Sequence, residues 1–280
     1  MKKPIAEPAF AAVLFCLIAF SITAYCQPNI QKASLRAPAA INIDGKTSEW
    51  PGNKLQAYNN TDDIWYTVCN DDNNLYLTIR APYRFAADKI LQGDITLTIS
   101  HTIGKNREKN ADNIAVSFPY FDKEDRLSIT STLLKYETIK KDTIHKIKEH
   151  DSIYTFANYN AAHAFKLIKI AGAKKPDTLI SVYNNDGIKT MGQFNRQMDF
   201  TCELAISLKY LGLSVSNADK FSYNIKLNGL PPVKMYNKFG HEISSMTETV
   251  YVPGSGNVNP NDLYRTQPTD FWGEYALAKK

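Results

Sequence analysis

The sequence has no block of like charge. Its 33 Lys and Arg residues are interleaved with 28 Asp and Glu, for a formal net charge of +5 over 280 residues. That balance lacks the basic patch or stripe that marks a nucleic-acid-binding surface. There is no G-x-S-x-G elbow and no H-E-x-x-H pair, which removes two common hydrolase motifs. The five His residues, at positions 101, 145, 150, 163 and 241, lack metal-ligand spacing. Gly254-Ser255-Gly256 follows an apolar stretch, but no helix pattern opens behind it, so a phosphate cradle is not expected there. Cysteine is scarce: Cys16, Cys26, Cys69 and Cys202. The last two each lie in a strand-like run; in an oxidising compartment they could pair, and two separate buried thiols are the preferred reading, because sequence spacing does not report distance. No internal repeat and no domain boundary is visible.

Long apolar runs are also missing, with one exception near the start. Lys2 and Lys3 give a positive beginning, Phe10 to Ile22 is apolar, and Ala24-Tyr25-Cys26 offers small residues for cleavage before Gln27. The run is too short for a comfortable transmembrane helix. Residues 1–26 are therefore expected to be a signal peptide. The remainder, 27–280, is expected to be an exported single domain, periplasmic, cell-surface or extracellular, with no transmembrane span after cleavage. A membrane anchor is the alternative. Lipidation at Cys26 is a third reading, disfavoured by the bulky Tyr25 before it.

What is present is alternation. At 44% hydrophobic and 22% charged, the chain is long enough to bury a sizeable core. Sixteen Tyr and thirteen Phe suit a β-rich protein. The segment from Asp62 to Arg80 reads as two strands around a turn of five Asn and Asp residues, Asn70 to Asn74. Leu75, Leu77 and Ile79 share one face of the second strand; Tyr76, Thr78 and Arg80 share the other. The face of Trp65 depends on register. If Cys69 pairs with Leu75, Trp65 is core; if Asn70 pairs with Leu75, Trp65 joins Tyr76 and Arg80. Further strands are expected at Ile41–Ile43, Ile95–Ser100, Phe165–Ile170, Thr178–Tyr183, two within 193–206, and Phe221–Ile225. After a loop, Lys89-Ile90-Leu91 and Gly93-Asp94 lead into the strand at Ile95; Asn184-Asn185-Asp186-Gly187 reads as a hairpin turn, and Pro253–Pro268 as loop.

The stretch from Asp122 to Tyr159 is polar and interrupts this pattern. Leu133, Tyr136, Ile139 and Lys140 mark a helical stripe, while Thr138 to Ile147 also fits a two-residue period, and both readings are open. It is expected to be an insertion, at about residues 122–160, partly helical and chiefly a solvated face.

Several short motifs occur in order: IDGKTSEW at Ile43–Trp50, NDDNNLYL at Asn70–Leu77, Gly93-Asp94 before a strand, Glu203-Leu204-Ala205-Ile206-Ser207-Leu208 before Leu211-Gly212-Leu213, and a Thr269–Gly273 ending. Together they resemble family 9 carbohydrate-binding modules and their DOMON-like relatives. Ser207 stands where the family usually has Pro. The resemblance implies an all-β fold, an antiparallel β-sandwich, and carbohydrate as the partner, either a polysaccharide or an oligosaccharide. It makes Trp50 structural and raises structural calcium, for which Asp62, Asp63, Asp71 and Asp72 are the candidate ligands; no other cofactor is expected.

Sugar rings stack their C–H faces on aromatic planes, and their hydroxyls need amides, carboxylates and Arg in place of water. Trp65, Tyr76, Arg80, Tyr83, Arg84 and Trp272 are the carbohydrate-binding candidates, with Trp65 foremost. A non-catalytic carbohydrate-binding protein is the leading expectation. A structural or protein-interaction sandwich at the cell envelope is the alternative. An enzyme would need a carboxylate opposite Glu203, and none can be named; a structural Glu203 bonded to backbone is preferred. A haem-binding relative would need a Met or His pair in one pocket, and nothing in the sequence points to one.

Overall fold

The computed structural model describes residues 27–82, 85–121, 123–140, 147–172, 178–217, 219–229, 232–236, 242–247 and 267–280. Residues 1–26, with the expected signal peptide, lie outside that set, as do Tyr83, Arg84 and Gly254-Ser255-Gly256. The elements in chain order begin with β1 (Ala57–Asn59), β2 (Ile64–Asn70), β3 (Asn74–Ala81), α1 (Ala86–Gly93), β4 (Ile95–Ser100) and β5 (Ile114–Tyr120). Two long helices follow, α2 (Lys123–Lys140) and α3 (Ile147–Ala164), then β6 (Leu167–Gly172), β7 (Thr178–Ser181), β8 (Ile188–Phe194), β9 (Phe200–Ser207) and β10 (Lys220–Leu227). A two-stranded ribbon, β11 (Pro232–Tyr236) and β12 (Glu242–Thr247), precedes the final strand β13 (Thr269–Ala276).

The strands make an antiparallel sandwich, as expected. One sheet has the order β1-β2-β3-β9-β8 and the other β13-β10-β4-β5-β6-β7. Alternation decides which side chains face inward. Tyr66, Val68, Leu77 and Ile79 from the first sheet meet Leu97, Val116, Tyr223 and Ile225 from the second in one continuous core. Tyr66 and Tyr223 place their hydroxyls 3.1 Å apart between the layers, and the Gln31 amide donates to Tyr66 at 2.8 Å.

One helix was not anticipated from the sequence, and two expectations need correction. Lys89-Ile90-Leu91 belongs to helix α1, whose Ala87, Ile90 and Leu91 are fully buried. Asn184–Gly187 does turn the chain, with Gly187 at φ 76°, but it connects β7 and β8, which lie in different sheets. The insertion is helical on both sides of residues 141–146, and its helices bury Ile129, Leu133, Tyr136, Ile153, Ala157 and Ala161 in the main core. It is thus more than a solvated face. Its amphipathic stripe is weak in sequence because small Ala and Thr residues do much of the packing.

Strand β2 beyond the end of the short β1, and the edge strand β8, each carry a carboxamide cap. Gln31 accepts from the Val68 amide at 2.8 Å and donates to the Val68 carbonyl at 2.7 Å on β2. Asn158 of α3 does the same on the edge strand β8, accepting from the Phe194 amide at 2.8 Å and donating to its carbonyl at 3.0 Å. An exposed strand edge is a template for pairing with another chain, and these amides occupy it.

Candidate functional site

The outer face of the five-stranded sheet is covered by the N-terminal segment. Leu35, Ala37, Ile41, Ile43, Trp50 and Leu55 of that segment pack on Cys69, Tyr76, Ala205 and Trp65, a second and smaller core. Strands β2, β3 and β9 are therefore buried on both faces. The Asp44-Gly45 turn is tied down by Glu203. Its Oε2 accepts the Asp44 amide at 3.0 Å and the Gly45 amide at 2.8 Å, while Oε1 lies 3.4 Å from the Thr78 hydroxyl. The Gln193 side chain donates to the Asp44 carbonyl at 2.7 Å. Gly45 sits at φ 78°, and a Cβ there would lie 3.0 Å from Gln193 Cγ, so this turn requires glycine. Two of the sequence motifs thus meet: the I-D-G turn docks on the strand carboxylate. Burial pushes the Glu203 carboxyl up to about 7, against the pull of the two amides.

Register places Asn70 opposite Leu75 and Trp65 opposite Arg80. Trp65 therefore shares the outer face with Tyr76 and Arg80, not the main core. The Arg80 guanidinium lies 4.7 Å from the centre of the Trp65 ring. From the other neighbouring strand, Tyr58 meets Trp65 at 4.7 Å between ring centres. The half-exposed indole is thus held between two neighbours. Tyr76 is buried, and its hydroxyl donates to Asp71 at 2.6 Å; burial pushes it up to about 12. Trp50 is 5% exposed, in the small core.

The four candidate calcium ligands form two separate pairs at opposite ends of β2. Asp62 is buried near Lys89, whose ammonium donates to Thr269 at 2.8 Å. Burial pushes the Asp62 carboxyl up to about 6 and the Lys89 ammonium down to about 8. Asp63 accepts from the Tyr58 hydroxyl at 2.5 Å. At the other end, Asp71 caps its turn by accepting the Asn73 and Asn74 amides, and Asp72 pairs with Arg36 at 2.9 Å and Lys280 at 2.7 Å. Among the described residues, no group of three or more His, Cys, Asp or Glu side chains is placed to hold a metal ion.

Cys69 and Cys202 are buried free thiols. Cys69 faces the small core and Cys202 the main core, on opposite faces of one sheet. Burial pushes both thiols up, Cys69 to about 12, so neither is activated.

The outer face of the six-stranded sheet differs in kind. Register aligns Trp272, Asn224, Thr98, Ala115 and Ala171 in one row across five strands. At about 4.8 Å per strand the row spans about 19 Å. A second row reads Asp270, Lys226, Thr96, Ser117 and Lys169. Trp272 is half-buried at the sheet edge, with the Arg107 guanidinium 4.7 Å from its ring centre. Asn224 donates to Asp270 at 2.6 Å and to the Phe271 carbonyl at 3.0 Å. Thr96 and Ser117 bond hydroxyl to hydroxyl at 2.7 Å. The result is a floor of small, hydroxyl and amide side chains beside one indole. Sequence reasoning singled out Trp272 but missed the rest. The signal was the Thr-x-Thr of β4 and the Asn-x-Lys of β10, polar residues two apart inside apolar strands.

No family model matches the chain, and no curated protein matches it. Solved structures with fold similarity include a Bacteroides uniformis protein provisionally assigned to carbohydrate binding, at 10% identity and TM-score 0.35, over 70% of this chain and 83% of that one. They also include a family 9 carbohydrate-binding module from Caldicellulosiruptor kristjanssonii in complex with glucose, at 11% identity and TM-score 0.33, over 89% of this chain and 96% of the module.

Proposed function

We propose that the protein is an exported, non-catalytic carbohydrate-binding protein that holds a glycan across the outer face of its six-stranded sheet. One observation carries this reading: the Trp272 row, in which a half-exposed indole borders a floor of Asn224, Thr98, Ala115 and Ala171. The indole offers a plane for a ring, and the Thr98 hydroxyl offers a partner for a sugar hydroxyl, while Asn224 holds Asp270 beside them. Small side chains leave room for rings to lie along the row. Each of Trp65 and Trp272 has an Arg guanidinium 4.7 Å from its ring centre, but Trp65 serves this role less well, because it also carries the Tyr58 ring and packs against the small core.

Binding without catalysis is favoured by the placement of the carboxylates. Glycoside hydrolysis uses two carboxyl groups flanking the bond. Glu203 lies on the other sheet and is committed to the Asp44 and Gly45 amides. Export rests on the N-terminal targeting pattern. Among the described residues, no helix is long and apolar enough to cross a membrane.

A protein-interaction role is the second reading, favoured by Phe156 and Tyr159, exposed on α3 at 54% and 59%. Affinity electrophoresis of the mature protein through gels containing plant and microbial polysaccharides separates the two. Retardation by a polysaccharide, lost in Trp272→Ala and kept in Trp65→Ala, is the expected result. No retardation of the folded wild type on any gel would move the function to the second reading.

A further inference from the structure

Resting on the carbohydrate reading, we infer that Arg107 is a ligand-contacting, specificity-determining residue of the Trp272 site, its guanidinium stacked on the indole and donating to paired oxygens of the bound glycan. The connection between β4 and β5, residues 101–113, folds back over the outer face of the six-stranded sheet. Ser100, the last residue of β4, donates through its hydroxyl to the Arg107 carbonyl at 3.1 Å. The Asn113 side-chain amide donates to the same carbonyl at 2.7 Å, and Asn110 donates to Thr102 Oγ1 at 2.8 Å. Ser100 and its cross-strand partner Ser222 are fully buried, although alternation with Ile99 and Tyr223 of the core points both outward.

This anchoring decides where the Arg107 side chain runs. Its backbone is tied above β4, and Trp272 stands on β13, two strands away in the order β13-β10-β4. At about 4.8 Å per strand that gap is about 10 Å. The side chain closes it, since the guanidinium reaches 4.7 Å from the Trp272 ring centre. It therefore crosses above β10. Asn224 of β10, directly opposite Trp272 in register, is only 6% exposed. A glycan lying along Thr98, Ala115 and Ala171 meets the guanidinium where it approaches the indole. An arginine packed on an aromatic plane uses its flat face, and its N–H donors point outward in the guanidinium plane. That fork suits two neighbouring oxygens of one sugar, such as vicinal hydroxyls. The other polar groups of the floor bond one another: Asn224 with Asp270 at 2.6 Å, and Thr96 with Ser117 at 2.7 Å. A lysine at position 107 would keep a cation over the indole and lose the fork.

The test is affinity electrophoresis through glucomannan, arabinoxylan, mixed-linkage β-glucan and polygalacturonate, read on the gel that retains wild type most. Arg107→Lys, Arg107→Ala and Lys105→Gln run beside wild type, each checked as folded by its melting temperature. Lys105 is exposed on the same loop and controls for the loss of one charge. Retention about tenfold weaker in both Arg107 variants, and unchanged in Lys105→Gln, is expected. Full retention in Arg107→Lys would overturn the inference, because an ammonium cannot replace a fork, and Arg107 would then serve only to hold the indole. Full or stronger retention in Arg107→Ala would also overturn it, marking the guanidinium as a cover that the sugar displaces. So would an equal loss in Lys105→Gln, the mark of general charge attraction. Each of these leaves the carbohydrate reading standing, whereas no retention of folded wild type on any gel removes both.

Discussion

Replacing Glu203 by Gln should stabilise the protein at alkaline pH and leave it unchanged in mild acid. Both amides of the Asp44-Gly45 turn donate to one oxygen, Oε2, and the other oxygen faces the Thr78 hydroxyl. A Gln can keep its oxygen on the turn and point its NH2 at Thr78, so every partner is retained. What changes is the charge. The folded carboxyl binds its proton up to about pH 7, against 4.5 for the free group. Folding therefore favours the protonated form. The stability this confers is fully present below pH 4.5 and is lost as pH rises through 7. At about 1.4 kcal/mol per tenfold change in proton affinity, the loss reaches about 3 kcal/mol by pH 8. For a chain of this size that is roughly 6–12 °C in melting temperature. Thermal unfolding followed by circular dichroism at pH 4 and pH 8 is the assay. Glu203→Gln should match wild type at pH 4 and melt higher at pH 8. A variant that melts lower than wild type at pH 8 would mean that the charged carboxylate is the stabilising form, and would refute the reasoning.

Three further outcomes follow from the geometry. Asn158→Ala removes both caps on Phe194 and uncovers the β8 edge, for a loss of about 1–3 kcal/mol in urea unfolding and a rise in aggregation seen by light scattering; unchanged stability would mean that the edge is held otherwise. Gly45→Ala puts a Cβ against Gln193 at φ 78°, so about 1–2 kcal/mol of destabilisation is expected at both pH values. Trp50→Ala empties the centre of the small core and should cost about 3–5 kcal/mol, with wild-type midpoints counting against a packed N-terminal segment.

Much of the sandwich was legible where one face is dry and the other wet. Ile95–Ser100 is such a place, whereas the Asp62–Arg80 hairpin was legible through its strand composition and polar turn although both its faces are buried. The Trp65 register was open in sequence because a five-residue polar turn permits either pairing; the Asp71 cap and its bonds to Asn73 and Asn74 settle it. The preference for a backbone-bonded Glu203 matches the structure, yet its partner is the Asp44-Gly45 turn, 159 and 158 residues away in the chain. Cys202 to Ile206 hid its faces because the N-terminal segment buries the side that would otherwise be polar. Helix α1 was missed for want of a capping side chain at Phe85. The polar face escaped notice because its members come from five strands, one or two from each, and only register brings them together.

The sequence carries three Trp residues, and the fold sets each in a different place: Trp50 in the small core, Trp65 between Tyr58 and Arg80, Trp272 at the rim of the polar face. Their indole N–H resonances in an NMR spectrum are therefore three site-specific reporters. The most direct measurement is to follow them, assigned by single Trp→Phe variants, while titrating an oligosaccharide of the polysaccharide that retards the protein. The account expects the Trp272 signal to move in step with saturation while Trp50 and Trp65 stay in place. Movement of Trp65 with Trp272 still would contradict it and put the sugar on the other sheet.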